Sequence, residues 1–258
     1  MYISSTNSTN TLLRELIAAG NPPEFIYTGF QTAGRGQSGN GWESEEGKNL
    51  LCSVLLPPRE NLFDLNVLVS VAVHRTITSL VFQAKPAGGT LSGEEGLTIK
   101  WPNDIYWGDK KLAGILIENA IVGNELRYSI AGIGLNVNQT VFVSNAPNPV
   151  SLRQIAGTDF DIDALMQALI AETEAAEKRS EEDLWDYYRS HLYRKEGFWP
   201  FVEREVSTAP TMNADAGAQG QFDAQIKRVL PSGEIMLLTR EGTEKKYHFK
   251  QIRYVINS

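Results

Sequence analysis

The sequence predicts an α+β protein with a larger helix-and-strand region, residues 1–208, and a small β region, residues 209–258. Three observations carry this reading. Several segments repeat apolar residues at helical spacing. Three apolar strands follow one another closely between Leu97 and Val137. From about Thr211 the texture changes to short alternating runs broken by Pro231-Ser232-Gly233 and Glu241-Gly242. A chain of 258 residues suits one large domain, or one plus a small one.

In chain order, Leu12, Leu13, Leu16 and Ile17 form an apolar helical stripe that Gly20 and Pro22-Pro23 end. Phe25 to Tyr27 reads as a strand, and Leu50 to Leu56 as a buried strand stopped by Pro57-Pro58. Leu62 to Phe82 carries a long helical pattern, and Ala84 to Gly96 is polar, glycine-rich loop. Leu97 to Trp101, Leu112 to Ile121 and Glu125 to Val137 are strands. Gly108-Asp109 makes a tight turn and Gly123-Asn124 a hairpin turn. Ile155 to Ala175 and Glu182 to Tyr193 are amphipathic helices. The terminal strands centre on Phe222 to Ile226, Ile235 to Leu238 and Lys246 to Phe249. The charged face of that region includes Lys227, Arg228, Lys245 and Lys246.

Composition narrows the function classes. A net charge of -7 argues against general nucleic-acid affinity. No apolar run is long enough to span a membrane, and the N-terminus does not resemble a signal peptide. A single cysteine, Cys52, in a core strand suits a reducing cytoplasm and reads as a buried small hydrophobe. His74, His191 and His248 make no metal-ligand spacing.

The most informative segment is Gln31 to Trp42, where glycines surround Arg35 and Trp42 closes the run. Backbone N–H groups exposed by glycine make an anion nest, and a guanidinium suits phosphate or carboxylate. Read on residues alone, the segment is equally an ordinary surface loop. Gly34, Gly36 and Gly39 match the dinucleotide-binding fingerprint, but no helix follows, which argues against a nicotinamide oxidoreductase. Asp104, after Lys100-Trp101-Pro102-Asn103, is either a turn residue or a single carboxylate able to hold Mg²⁺ against phosphates. Lys111 is either a solvated hairpin lysine or a cation leaning over a phosphoryl group. Lys110, on the opposite strand face, suits the solvated role better. Gly114, Gly132 and Gly134 inside neighbouring strands suggest that something lies flat on the sheet, between Leu112, Leu116, Ile133 and Leu135. Asn136 can read a polar end of such a ligand. Ser8 is either a helix N-cap or part of this site.

Taken in order, Ser8-Thr9-Asn10, Gln31 to Trp42, Lys100 to Asp104, Lys111 to Leu116 and Ala131 to Asn136 resemble biotin–protein ligases. The resemblance implies a mixed β-sheet with helices on one side and a small SH3-like C-terminal barrel. It implies ATP and biotin as substrates with Mg²⁺, biotinoyl-AMP and pyrophosphate as products of the first step, and transfer to a lysine of a biotin carboxyl carrier protein. It assigns Lys111, Arg35 and Asp104 to catalysis, with Asp104 the metal-associated carboxylate. It places Ser8, Thr9, Asn10, Gln31, Gly34, Arg35, Lys111, Gly114, Leu116, Gly132 and Gly134 around biotin. Arg35, Gly36, Gln37, Trp42, Asn103, Lys111 and Asn136 go to the nucleotide. Many family members have a second arginine where this chain has Gln37. The Ser-Thr-Asn triplet is duplicated at Ser5-Thr6-Asn7, and the copy at Ser8 suits the distance to Gln31. A monofunctional ligase without a DNA-binding domain is expected, with a homodimer through the open sheet edge possible in this family. Lipoate or octanoate ligases and a non-catalytic biotin or nucleotide sensor are the alternatives.

Overall fold

The structure is a computed structural model that describes residues 1–82, 96–123, 125–144, 148–204 and 219–256. The expected loop from Ala84 to Gly96, apart from Gly96, and Asn124 of the hairpin turn lie outside the described residues. The elements of the first region are β1 (Tyr2–Thr6), α1 (Thr9–Ala18), β2 (Phe25–Gln31), β3 (Leu50–Leu56), α2 (Leu62–Ile77), β4 (Leu97–Lys100), β5 (Asp104–Trp107), β6 (Lys110–Val122), β7 (Glu125–Leu135), α3 (Leu152–Ala156), α4 (Ile162–Glu177) and α5 (Glu181–Ser190). Then come β8 (Trp199–Glu203), β9 (Gln219–Val229), β10 (Ile235–Thr239), β11 (Glu244–Tyr247) and β12 (Ile252–Tyr254).

A mixed sheet runs in the order β1-β2-β3-β7-β6-β5-β4, with only β1 and β2 parallel. Strand alternation decides which residues reach which face. Cys52 and Val54 of β3 and Ala131, Ile133 and Leu135 of β7 point into the main core with α2, α4 and α5. The intervening residues face the other way. There Ile26 and Ile130 pack against Leu13 of α1. The resemblance implies helices on one side; α2, α4 and α5 follow this, and α1 stands apart beside the cleft described below.

Local chemistry explains the helix ends. The Asn61 side chain accepts from the Phe63 N–H to start α2. The expected helix from Ile155 to Ala175 is two helices. Gly157 takes φ 74° as a left-handed C-cap to α3, and Asp161 accepts from Asp163 and Ala164 N–H to begin α4. The helical pattern from Leu62 ends as α-helix at Ile77 and continues as a wider turn over Thr78–Phe82.

A second, antiparallel sheet runs β11-β10-β9-β8-β12. β8 lies before residue 209 and still belongs to it. This sheet docks through Trp101, whose Nε1 donates to Gly233 O at 3.0 Å, and through Asn61, which donates to Pro231 O at 2.6 Å. Its lysines are largely spent on carboxylates: Lys227 on Glu244, Lys245 on Glu203 and Lys246 on Glu234. Among the described residues no helix is long and apolar enough to cross a membrane.

His74 of α2 is buried, with Nε2 3.1 Å from Leu97 O and Nδ1 2.9 Å from the Tyr187 hydroxyl. A carbonyl only accepts, so Nε2 carries the proton and Nδ1 accepts from Tyr187. Burial, followed by the neighbouring His191, lowers the imidazole from 6.5 to about 4. Between those values the unfolded chain binds a proton that the folded chain does not, so this residue costs stability as the pH falls through that window. His74→Gln should therefore flatten the loss of stability between pH 7 and pH 4.5 by about 2–3 kcal/mol. Urea unfolding of both proteins at the two pH values checks this; parallel losses would contradict it.

Candidate active site

A cleft of about 650 Å³ opens on the α1 face of the large sheet. Its floor comes from β6 and β7, where Gly114 pairs with Gly134 and Leu116 with Gly132. The missing side chains are required by what lies above them. A Cβ on Gly132 would collide with the Asn10 side chain. A Cβ on Gly134 would collide with the Trp42 indole, and one on Gly114 would stand 2.7 Å from Trp42 Cζ3. The flat group resting on Gly114 and Gly134 is thus Trp42 itself. Its Nε1 is buried without a hydrogen-bond partner. The loop that carries it folds back as a small hairpin, with Trp42 N–H donating to Gly34 O and Gly36 N–H to Asn40 O.

One end of the cleft is rich in hydroxyls and amides. Gln31 Oε1 accepts from Thr9 N–H at 2.8 Å and from the Thr9 hydroxyl at 3.2 Å. The Ser53 hydroxyl lies 2.7 Å from Thr9 Oγ1 and 2.6 Å from Asn10 Oδ1. Ser8 occupies the N-cap position of α1, yet its side chain makes no capping bond and lines the cleft.

Cations stand on both sides of the glycine floor, Arg35 beside Asn10 and Thr11 and Lys111 beside Gly114. Arg35 Nη2 reaches Glu118 at 2.9 Å, and Arg14 reaches the same carboxylate at 3.1 Å. Burial pushes the Glu118 carboxyl up, but the Asn10 amide and the two arginines outweigh it and hold it below its ordinary value. Lys111 Nζ pairs with Asp104 at 2.8 Å, while Lys110 is exposed. Lys100 also lines the cleft. Its Nζ donates to the Tyr106 hydroxyl at 3.1 Å and lies over the rings of Tyr106 and Tyr254. Burial lowers it to about 8; Asp104 opposes the shift, and Lys111, Arg194 and Arg204 add to it. Burial pushes the Cys52 thiol up to about 12, which leaves it a core residue and no nucleophile.

The pattern of the biotin/lipoate A/B protein ligase family matches residues 2–136. The chain belongs to that family. It is 31% identical over 260 residues to the bifunctional ligase/repressor BirA of Bacillus subtilis, covering 96% of this chain and 71% of that protein. It is 31% identical over 179 residues to the biotin–[acetyl-CoA-carboxylase] ligase of Mycobacterium tuberculosis, covering 67% and 62%. The fold matches that of the biotin protein ligase from Aquifex aeolicus solved with biotin and ATP. The TM-score is 0.73 at 22% identity, with 99% and 98% of the two chains covered.

In this biotin/lipoate ligase family member the cleft gathers Ser8, Thr9, Asn10, Gln31, Arg35, Gly36, Gln37, Trp42, Asp104, Lys111, Gly114, Leu116, Gly132 and Gly134. Gly34, Asn103 and Asn136 do not line it. Gly34 lies behind Trp42, where a Cβ would meet the Trp42 carbonyl at 2.6 Å. The Asn136 amide donates to Val150 O at 3.1 Å, and the Asn103 amide donates to Asn66. Gln37 spends its amide on Asn103 Oδ1 and Ile115 O rather than on open space. Glu118, Ser53, Tyr106 and Phe249 are not among the residues the sequence assigns to the site. Glu118 was findable, being a lone carboxylate two and four residues beyond Leu116 and Gly114 on the same strand face.

Because the Trp42 ring rests on Gly134, Gly134→Ala should expel the indole and expose it to water. A red shift of emission, absent from the same substitution made on Trp42→Phe, checks this; an unshifted spectrum would contradict it.

Proposed function

We propose that the protein is an ATP-dependent biotin–protein ligase. It joins biotin and ATP to give biotinoyl-5'-AMP and pyrophosphate. It then transfers the biotinyl group to a lysine of a biotin carboxyl carrier protein of a biotin-dependent carboxylase, in the reducing cytoplasm. The observation that carries this is the make-up of the cleft: hydroxyls and amides beside Arg35 at one end, a glycine floor, and Lys111 with Asp104 toward the other. That layout suits a ring system with a polar head and a carboxylate tail beside a triphosphate. The hydroxyls and amides of Ser8, Thr9, Asn10 and Gln31 favour biotin over the alkyl chain of lipoate or octanoate.

The chemistry follows from charge. A carboxylate and a triphosphate repel, so adenylation needs cations where the two meet. Arg35 is held on Glu118 and Lys111 on Asp104, on either side of the glycine floor, and both exchange these carboxylates for substrate oxygens. The carboxylate oxygen of biotin attacks the α-phosphorus, with Lys111 bridging the two anions. Trp42 leaves the glycine floor when biotin takes its place, and the displaced indole covers the adenylate. Mg²⁺ fits as a partner of Asp104: one carboxylate in a phosphate-binding cleft suffices, since the ion draws its other ligands from phosphate and water. When bound at Asp104, it would neutralise phosphate charge as a Lewis acid. In the second step the carrier's lysine amine attacks the acyl carbonyl and AMP leaves.

Incubation with ATP, radiolabelled biotin and a carrier domain should label the carrier, and labelled octanoate should not. Lys111→Ala should slow pyrophosphate release by roughly a hundredfold, as for loss of one preorganised electrostatic group, while Lys110→Ala stays near wild type. Equal losses in the two variants would overturn the assignment of Lys111, and an unlabelled carrier would favour a sensor.

A further inference from the structure

Lys100 is a cleft cation that the two adenylation contacts leave unused. Arg35 and Lys111 are each closed on a carboxylate, at 2.9 and 2.8 Å. Lys100 has no carboxylate within 4.0 Å among the described residues. Its ammonium meets the Tyr106 hydroxyl and the faces of Tyr106 and Tyr254, at 4.6 and 5.3 Å from the ring centroids. Asp104 acts on it only through space, and Lys111, Arg194 and Arg204 repel it. A largely buried ammonium without a counterion is costly, and an arriving anion removes that cost.

The sheet order gives the direction. The polar end of the cleft rests on β3 and β7 through Ser53 and Gly132, Lys111 stands on β6, Asp104 begins β5, and Lys100 ends β4. Neighbouring strands are about 4.8 Å apart, so Lys100 lies roughly two strand spacings beyond Lys111. In an in-line displacement the leaving group departs opposite the attacking oxygen. An attack launched from the β7 side therefore expels its leaving group toward β4.

We propose that Lys100 is the receptor for the departing pyrophosphate, a catalytic residue of the adenylation step alone; the proposal rests on the ligase reading above. The bond between the biotin carboxylate oxygen and the α-phosphorus forms. The bond from that phosphorus to the bridging oxygen breaks, and its electron pair leaves on pyrophosphate beside the Lys100 ammonium, with no proton transferred.

The test separates two reactions of preformed biotinoyl-AMP. One is ATP synthesis driven by added pyrophosphate; the other is biotin transfer to the carrier with no pyrophosphate present. Lys100→Met should raise the half-saturating pyrophosphate concentration about tenfold or more, as for loss of a charge-assisted hydrogen bond. Lys100→Arg should restore it to within about threefold of wild type, and Lys100→Gln should repeat the methionine result. Transfer to the carrier should stay within about twofold of wild type in all three. An unchanged pyrophosphate dependence in the methionine and glutamine variants overturns the proposal, as does a transfer rate that falls in parallel. Wild-type protein that forms no biotinoyl-AMP from biotin and ATP would instead overturn the ligase reading.

Discussion

The pairing of β6 with β7 is the constraint from which the rest of the molecule follows. Each strand serves two environments at once, because alternate residues face opposite ways. Ala113 and Ile115 with Ala131, Ile133 and Leu135 build the core under α2 and α4. The residues between them, Gly114, Leu116, Gly132 and Gly134, build the cleft, and Glu118 on the same face holds Arg35. A slip of one residue would turn isoleucines into the cleft and glycines into the core. The register that stabilises the fold is therefore the same register that shapes the site.

The cleft is satisfied from within the chain. Its arginine and one lysine are neutralised by Glu118 and Asp104, and its bare floor is covered by the Trp42 indole. Such internal substitution keeps charge and apolar surface from standing open to water, and it defines what a ligand must replace. A ligand with a flat body and an anionic end can displace all three, taking over the glycine floor and both cations. The unpartnered Trp42 Nε1 shows that this resting arrangement is itself imperfect, which favours exchange.

The small second sheet reaches the same cleft. Trp101 and Lys100, consecutive at the end of β4, reach it through Gly233 O and the Tyr254 ring. Phe249 packs edge-on against Trp101 at 5.9 Å and lines the cleft. The terminal lysines pair with carboxylates, so that face works through packing more than through free positive charge.

The sequence by itself determined most of the strands and helices and pointed to many of the residues that line the cleft. Motifs such as Lys100 to Asp104 and Lys111 to Leu116 keep function and local geometry in one short stretch. It did not show β1, a polar strand at the sheet edge, or β5 and β8, four and five residues long, because each is held by its neighbours more than by its own pattern. Only the tertiary structure decided that Arg35 closes on Glu118, that Trp42 lies on Gly134, and that Asn136 and Gln37 bind the protein itself. Those outcomes depend on contacts across 83, 92, 14 and 66 residues of chain, and no local periodicity records them.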